Sequence, residues 1–401
     1  MIPVAAPNPP HVHYLDHACL GRPTAATLDV VHRALRQLAT FDAPGTQQTI
    51  ELFGLAEHAR MRVAELVCAD PANITLIENT TSALGLVASS VPLRRGDNIL
   101  IDDLEFVGAP VVWRSVARRT GVELRPAKTE DGRALPEHFA AVADDRSRVL
   151  VVSSVQEVSG FRADMPAFAK LAKSLGAWLV VDGIQEVGAV PVDLGSGGID
   201  AYCAGGHKWL RSPFGAGFLY LSPRLLEQMQ PPFQGYAALD EPADGWDGYL
   251  QSAARSPFDN LPELPDARRL RTGGFPNWVG AAALAQAASE LLREGPPQIW
   301  ARILQLRQRL IDGLRQLGFR VLAEPARGSL SEYECSGIVC FRSPAGARAD
   351  AQLLERLTAA RVYVSLRRVS GVGGIRAAVH FENTEADIDS LLEVAARFAH
   401  A

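Results

Sequence analysis

Short apolar runs alternate with segments of helical period over the first half of the chain, from residue 24 to about residue 220. This alternation is typical of a mostly parallel sheet covered by helices. Unbroken runs such as VLVV and WLVV are typical of strands that are buried on both faces. The predicted strands are residues 74–77, 98–101, 122–126, 148–153, 177–182 and 216–221, and the predicted helices between them are residues 80–91, 109–119, 135–143 and 164–175.

The second half of the chain has a different pattern. Residues 231–275 are rich in Pro, Gly, Asp and Arg and have no clean period, which predicts an irregular excursion. The elements predicted after it are helices at 279–294, 298–317, 349–360 and 384–400 and strands near 319–323, 336–341, 362–366 and 374–379. This mixture indicates a smaller α+β unit.

We therefore predict an α/β protein with two domains. The large domain, residues 23–278, has a mostly parallel mixed sheet flanked by helices, and the smaller C-terminal α+β domain spans residues 279–401. Residues 1–22 begin with several prolines, so we expect an extended arm that packs on the small domain.

Composition narrows the partners and the compartment. A net charge of -5 and a pI near 6.0 leave no basic excess for phosphates, so no nucleic-acid partner is predicted. Residues 1–13 contain no apolar run, which predicts neither a signal peptide nor a membrane helix. The five cysteines lack the spacing of zinc ligands, so we predict no metal site and a reduced, cytoplasmic setting.

Lys208 is the first candidate for chemistry. It is one of only four lysines in a chain with 36 arginines. Arginine stays protonated and cannot attack a carbonyl, whereas a lysine with a depressed pKa can form a Schiff base. A lysine retained here therefore suggests amine chemistry, with a surface charge as the alternative.

Asp182 ends the apolar run AWLVVD, so its carboxylate should emerge at the carboxyl edge of the sheet, where open α/β folds bind ligands. It could pair there with a pyridinium nitrogen and keep it protonated, which makes a pyridoxal ring an electron sink. A strand-terminal Asp can also be a helix cap or a loop anchor. Gln185 and the later pair His207-Lys208 favour the cofactor reading.

Hydroxyl groups follow the first predicted strand. Thr80, Thr81 and Ser82 stand where this strand meets a helix, so that hydroxyls and free backbone N–H groups form a candidate phosphate cradle. The alternative is that these residues only cap the helix. His207 follows two glycines, which let the backbone approach a bulky ligand closely.

Several segments together resemble one known family. The stretches DGIQ, VPVDL, DAYCAGGHKW and GAGFLYLSP are similar to those of the class V aminotransferases, which are fold-type I enzymes that use pyridoxal 5'-phosphate (PLP). The group includes cysteine desulfurases, kynureninase-like enzymes and isopenicillin N epimerase-like proteins. The resemblance also takes in YLDHACLGRP, SSVQEVSGFRADM and IRAAVHFENTEADIDSLL, and so covers nearly the whole chain.

The resemblance implies a PLP site. Lys208 would hold PLP as a Schiff base and later shuttle the α proton of the substrate. Asp182 would pair with the ring nitrogen, and Gln185 would hydrogen-bond the phenolic oxygen of the ring. The residues implied as phosphate ligands are Thr80, Thr81 and His207.

Two further contacts are implied by the same resemblance. Arg376 matches the arginine that binds the substrate carboxylate, a role that suits a planar guanidinium. The segment RLRTGGFPNWVG corresponds to the stretch from which a partner subunit contacts the phosphate, with Gly274, Gly273 or Thr272 as the donor. The resemblance therefore implies a homodimer with the site at the subunit interface.

The chain also departs from the family. Phe106 stands where a histidine usually covers the ring, and it can stack on a pyridine but cannot exchange protons. Gly205 replaces a common phosphate-binding serine. Glu157 lies where cysteine desulfurases often carry asparagine, which makes it a candidate for substrate binding. The segment 365–376 contains no cysteine, so persulfide-forming desulfuration is not expected, and Cys203 is expected to be buried and inert.

The expected function is PLP-dependent chemistry at Cα of a small amino-acid substrate, through an external aldimine and a quinonoid. Transamination and β-elimination are favoured, because epimerisation needs an acid or base on the ring face that Phe106 covers. Tyr236 or Tyr249 could supply such a group, so an epimerase is the alternative. A PLP-fold binding protein without catalysis is the alternative from another class.

Overall fold

A computed structural model describes residues 12–40, 45–274, 276–323 and 334–400. Its largest sheet has seven strands in the order β2-β8-β7-β6-β5-β3-β4. Five neighbouring strands, β4, β3, β5, β6 and β7, run parallel, whereas β8 is antiparallel to both β7 and β2. They are β2 (Ile74–Ile77), β3 (Asn98–Asp102), β4 (Glu123–Ala127), β5 (Ser147–Ser153), β6 (Trp178–Asp182), β7 (Ala201–Gly205) and β8 (Gly217–Leu221). The predicted α/β fold with a mostly parallel mixed sheet is confirmed.

Helices cover both faces of this sheet. Along β5, Leu150 and Val152 belong to the hydrophobic cluster on one face, and Val149 and Val151 belong to the cluster on the other. All four are fully buried, which explains the unbroken apolar run in the sequence. The helices in this half are α1 (Ala25–Thr40), α2 (Gly45–Leu66), α3 (Thr80–Ser90), α4 (Gly108–Thr120), α5 (Pro136–Ala140), α6 (Met165–Leu175) and α7 (Pro223–Leu226).

The predicted irregular segment 231–275 contains α8 (Gly245–Gln251) and two short 3-10 helices, Tyr236–Ala238 and Ala267–Leu270. It leads into α9 (Trp278–Glu294). The alanine-rich face of α9 packs on α2 through Ala281 and Ala285, so α9 lies against helices of the large sheet. The domain boundary predicted at residue 278 therefore falls at the start of α9, a helix that packs against the helices of the large sheet. The predicted division into two domains stays a prediction.

A second sheet forms near the C-terminus in the order β12-β13-β10-β9, and all its neighbouring strands are antiparallel. Its apolar face packs with the last helices into a separate hydrophobic cluster that includes Leu310, Phe341, Leu353 and Leu391. The elements are α10 (Pro296–Gln316), β9 (Arg320–Val321), β10 (Ile338–Arg342), α11 (Ala347–Ala359), β11 (Val362–Tyr363), β12 (Ser365–Val369), β13 (Val372–Ala378) and α12 (Glu385–Ala399).

The N-terminal segment that the structure describes lies against this second sheet. Strand β1 (His13–Tyr14) pairs in parallel with β11, and Asp16 forms a bridge with Ala378. Gly21 then donates its N–H to the His207 carbonyl at 2.8 Å. A Cβ at Gly21 would lie 1.9 Å from the Lys208 carbonyl oxygen, so only glycine allows this approach. These contacts bring the N-terminal segment to the candidate site.

Candidate active site

Asp182 and Lys208 come together at the carboxyl edge of the large sheet. Asp182 is the last residue of β6, and Lys208 follows the end of the adjacent parallel strand β7. The Asp182 Oδ1 atom accepts a hydrogen bond from the Ile184 N–H at 3.0 Å. Burial raises the pKa of Asp182 to about 6, although this hydrogen bond and Lys208 favour the ionised form.

The Lys208 amine sits among charged groups. Burial lowers the pKa of Lys208, and Arg376 acts in the same direction, while Asp182, Glu157 and Cys19 oppose this shift. The Lys208 Nζ atom lies 5.9 Å from the ring centroid of Phe106. A lysine held toward its neutral form is a nucleophile and a base, which an ordinary surface lysine is not.

The N-terminus of α3 presents donors to the same region. Asn79 caps this helix by accepting the Ser82 N–H at 2.9 Å. The backbone N–H groups of Thr80 and Thr81 make no hydrogen bond to the residues that the structure describes. These two amides are at the positive end of the helix dipole, where an anion is stabilised.

The side chains of Thr80 and His207 both lie next to Gly205. The Thr80 hydroxyl accepts the Gly205 N–H at 2.9 Å. A Cβ on Gly205 would come 3.1 Å from the His207 Nδ1 atom, so a serine here would crowd the imidazole. The His207 ring stacks on Phe214, and burial lowers its pKa to about 4, so His207 is neutral near pH 7.

Gln185 is held from both sides. Its Oε1 atom accepts the Trp209 Nε1–H at 2.8 Å, and its Nε2 atom donates to the Ala18 carbonyl at 3.1 Å. An amide nitrogen has two hydrogens, so one remains for a further acceptor. Trp209, which follows Lys208, thereby fixes the orientation of the Gln185 amide.

Arg376 on β13 is almost fully buried and is surrounded by acceptors. Its Nη1 atom donates to the Glu157 Oε2 atom at 2.6 Å and to the Glu157 carbonyl at 3.0 Å. Its Nη2 atom donates to Asp16 Oδ1 at 3.2 Å, and its Nε atom donates to Ser365 Oγ at 3.2 Å. The two residues predicted to bind substrate, Arg376 and Glu157, therefore pair with each other.

The structure places the remaining predicted residues in two regions. Phe106 is half exposed and precedes Gly108, where a Cβ would lie 3.0 Å from the Thr81 Oγ1 atom, so Thr81 and Phe106 are neighbours. Gly274 lies in the irregular segment, and a Cβ on it would lie 2.8 Å from Tyr236. Its predicted role concerns a partner subunit and stays a prediction.

The N-terminal segment supplies two site residues that the sequence analysis did not assign. Asp16 pairs with Arg376, and the Cys19 sulfur lies 4.0 Å from an Arg367 nitrogen and acts electrostatically on Lys208. Both belong to the quoted motif YLDHACLGRP, but no local pattern distinguishes them from structural residues. Cys203, by contrast, is fully buried, and burial raises the pKa of its thiol, as expected for an inert cysteine.

A pair of buried carboxyl groups, Asp102 and Glu105, lies beside Asp182. The Glu105 carboxylate accepts hydrogen bonds from the Ser153 N–H and, at 2.8 Å, from the Ser153 hydroxyl, and Gln156 donates to Asp102 at 3.0 Å. Burial raises the pKa of Asp102 to about 7 and that of Glu105 well above its usual range. Two adjacent buried carboxylates cannot both ionise easily, so this pair retains a proton near neutral pH.

A second polar cluster, His17, His380 and Glu382, lies next to the Trp209 ring. His17 is fully buried, both of its ring nitrogens lack a hydrogen-bond partner among the described residues, and its ring stacks on His380 at 5.0 Å. One ligand atom from each of His17, His380 and Glu382 lies within 4.8 Å of the others. The two imidazole planes are 24° apart.

A cleft of about 700 Å³ adjoins the site and is bordered by Phe106 and Glu157. Its walls include Ile101, Leu124 and Pro126 from the large sheet, together with Arg114 and Arg368. No helix in the described parts of the chain combines the length and apolar character that a membrane crossing needs.

The residues at this edge fit PLP chemically. Asp182 offers a buried carboxylate, Lys208 offers an amine with a lowered pKa, and the start of α3 offers two amides for a phosphate. The three groups are of the kinds that a pyridine nitrogen, an aldehyde and a phosphate require.

Comparison with known proteins leads to the same family. The family model "Aminotransferase class-V" matches residues 13–391. An isopenicillin N epimerase of Streptomyces clavuligerus is 32% identical over 86% of this chain and 84% of its own length. A cysteine desulfurase of Yersinia pseudotuberculosis serotype O:1b (strain IP 31758) is 30% identical over 82% of this chain and 77% of its own length.

A solved structure has the same fold. It is a variant of the cystine C-S lyase C-DES with glycine linked covalently to its PLP cofactor, and it matches with a TM-score of 0.83 and 22% identity over 97% of each chain. The family match supports the predicted cofactor. Because cysteine desulfurases are among the relatives, the expected lack of persulfide-forming activity stays a prediction. The family match covers nearly the whole chain, and the chain belongs to the class V aminotransferase family.

Proposed function

We propose that this chain is a PLP-dependent enzyme that removes the α proton of an amino-acid substrate. The observation that carries the proposal is the placement of Lys208, whose pKa is lowered by burial, near the buried carboxylate of Asp182 at the carboxyl edge of the sheet. PLP, when bound, supplies an electron sink for the bond that breaks at Cα. The protein residues bind, orient and move protons.

Each residue has a proposed task. Lys208 would hold the cofactor covalently, and its neutral amine would take the α proton of the substrate. Asp182 would keep a proton on the pyridine nitrogen, and the second N–H of Gln185 would donate to the phenolic oxygen. Thr80, Thr81 and His207 would hold the phosphate, together with the Gly274 segment from the partner subunit of a homodimer. Phe106 would stack on the ring.

Arg376 and Glu157 are proposed to set the substrate end of the site. A guanidinium that is fixed by Ser365 and by a backbone carbonyl is pre-oriented for a carboxylate. Orienting the substrate carboxylate decides which bond at Cα aligns with the electron sink.

We favour transamination or β-elimination as the outcome. Epimerisation is the second candidate, and the 32% identity to an isopenicillin N epimerase supports it. The tyrosines considered for its second acid or base have other contacts: Tyr249 bonds Asp259 and Ser256, and Tyr236 packs on Trp246. Cys19 lies near Lys208 and is a further candidate to return a proton.

The cofactor assignment is tested with the purified protein. We expect a yellow protein whose covalent PLP adduct is trapped by borohydride on Lys208. The Lys208→Ala variant should lose this adduct, whereas Lys170→Ala, which changes an exposed lysine on α6, should keep it. A colourless protein that takes up no added PLP would reject the enzyme and favour a binding protein without catalysis.

The outcome is tested by incubating the holoprotein with a panel of amino acids in deuterated water. Keto acid with pyridoxamine phosphate indicates transamination, and keto acid with ammonia indicates β-elimination. Deuterated, racemised substrate indicates epimerisation and would reject the favoured reactions. Persulfide on Cys19, detected by mass spectrometry after incubation with cysteine, would reject the expectation that this chain forms no persulfide.

A further inference from the structure

The guanidinium of Arg376 has almost no donor left for a ligand. Arginine has five N–H groups. Its Nε–H goes to Ser365, both Nη1 hydrogens go to Glu157, and one Nη2 hydrogen goes to Asp16. Among the described residues, a single Nη2–H therefore remains. A carboxylate that is bound in a bidentate manner needs two N–H groups, one from each Nη atom.

The bond to the Glu157 carboxylate can be given up while the other bonds still hold the arginine. The Glu157 carbonyl and the Ser365 hydroxyl hold the guanidinium from the backbone of one segment and from strand β12. The Glu157 carboxylate, in contrast, is at the end of a flexible side chain that borders the 700 Å³ cleft, so it has space to rotate away. Its departure would free an Nη1–H beside the Nη2–H that is already available.

The charges around Arg376 also indicate that the Glu157 carboxylate must leave before a ligand carboxylate binds. Asp16 and Glu157 place two negative charges on one guanidinium, so an incoming carboxylate competes with Glu157 for Arg376. When Glu157 leaves, a substrate carboxylate restores the negative charge that Glu157 carried.

We propose that Glu157 determines specificity by occupying the carboxylate position of the ligand-free site, so that substrate binding is an exchange of one carboxylate for another. The proposal rests on the proposed function, because the ligand concerned is its amino-acid substrate.

Propionate is a suitable probe, because it has a carboxylate but no amine and therefore binds without the chemistry of Lys208. We would measure its Kd for the holoprotein by saturation-transfer NMR or calorimetry. Glu157→Ala should tighten binding by roughly tenfold, the effect of about one regained charge-assisted hydrogen bond. Glu157→Gln removes the charge but keeps an acceptor, so its Kd should lie between those of Glu157→Ala and the wild type.

Two further variants complete the test. Arg376→Lys keeps the charge but loses the fork, and it should abolish propionate binding. Glu123→Gln changes an exposed carboxylate on β4 that pairs with Arg125, and it should leave the Kd unchanged. Equal or weaker propionate binding in both Glu157 variants would overturn the proposal and make Glu157 a residue that positions Arg376.

The same samples separate this result from the proposed function. The visible band of the PLP adduct reports the cofactor, and propionate binding reports the Arg376 subsite. If the Glu157 variants bind PLP but have the propionate Kd of the wild type, only the proposed exchange of carboxylates is contradicted. Missing PLP contradicts the proposed function, whatever propionate does.

Discussion

Burial of His17 should make the protein lose stability as the pH falls below neutrality. His17 is fully buried, and burial, helped by Arg22 and Arg211, lowers its pKa from 6.5 to about 3. Below pH 6.5 the unfolded chain therefore binds a proton that the folded chain refuses. The free energy of unfolding falls between pH 6.5 and pH 3, and above pH 6.5 this residue contributes no pH dependence.

The size of the effect follows from the pKa difference. One pKa unit corresponds to about 1.4 kcal/mol, so the loss attributable to His17 between pH 7 and pH 5 is about 2 kcal/mol. His380, whose pKa is also lowered by burial, adds a loss of the same sign. The His17→Gln variant stays neutral at every pH and should therefore lose about 2 kcal/mol less than the wild type over this interval.

Urea unfolding followed by circular dichroism at pH 7 and pH 5, with saturating PLP, measures this difference. His32→Gln is the matched control, because His32 is exposed on α1 and should leave the wild-type pH dependence unchanged. If His17→Gln loses as much stability as the wild type between the two pH values, the buried imidazole is not the cause and the reasoning is refuted.

Three further outcomes are expected. Maleimide should label Cys19 and Cys68, which are exposed, and spare Cys203, Cys335 and Cys340, which are buried; peptide mapping that finds label on Cys203 would contradict the packing of β7. Gly21→Ala should lower the free energy of unfolding by about 1–3 kcal/mol, since its Cβ would meet the Lys208 carbonyl. A Cβ at Gly54 would meet nothing within 4 Å, so Gly54→Ala should raise the free energy of unfolding by up to about 1 kcal/mol. If chemical denaturation shows the same change in stability for Gly21→Ala and Gly54→Ala, the close approach at Gly21 is contradicted. Asp182→Asn cannot hold a proton on the pyridine nitrogen, so deuterium exchange at the substrate Cα should slow by about a hundredfold or more, and an unchanged rate would reject its role.

The central strands β3, β5, β6 and β8 could be predicted because they are buried on both faces and their apolar runs are bounded by turns. Strand β5 shows this well, since its successive valines serve two hydrophobic clusters. Strand β7 was not among the predicted strands, because Ala201–Gly205 contains small residues and no run of branched ones. Helices α1 and α2 were not located either.

Candidate site residues could be named from the sequence where they lie in one segment. Asp182, Gln185, His207 and Lys208 fall within a short stretch around β6 and β7, and the family resemblance implies roles for them that stay predictions. Contacts between distant segments could not be predicted, since no periodicity records which loop faces which. The pairing of Arg376 with Asp16 joins residues 360 positions apart.

That separation has a consequence for the order in which the protein can be completed. The segment from His13 to Cys19 is synthesised early, yet its partners β11 and Arg376 are synthesised near the end. Until they leave the ribosome, Asp16 and β1 lack these partners, and contacts of such long sequence separation form slowly. The large sheet can therefore fold during translation, whereas the cluster of Asp16, Glu157 and Arg376 can be assembled only after nearly the whole chain has been released.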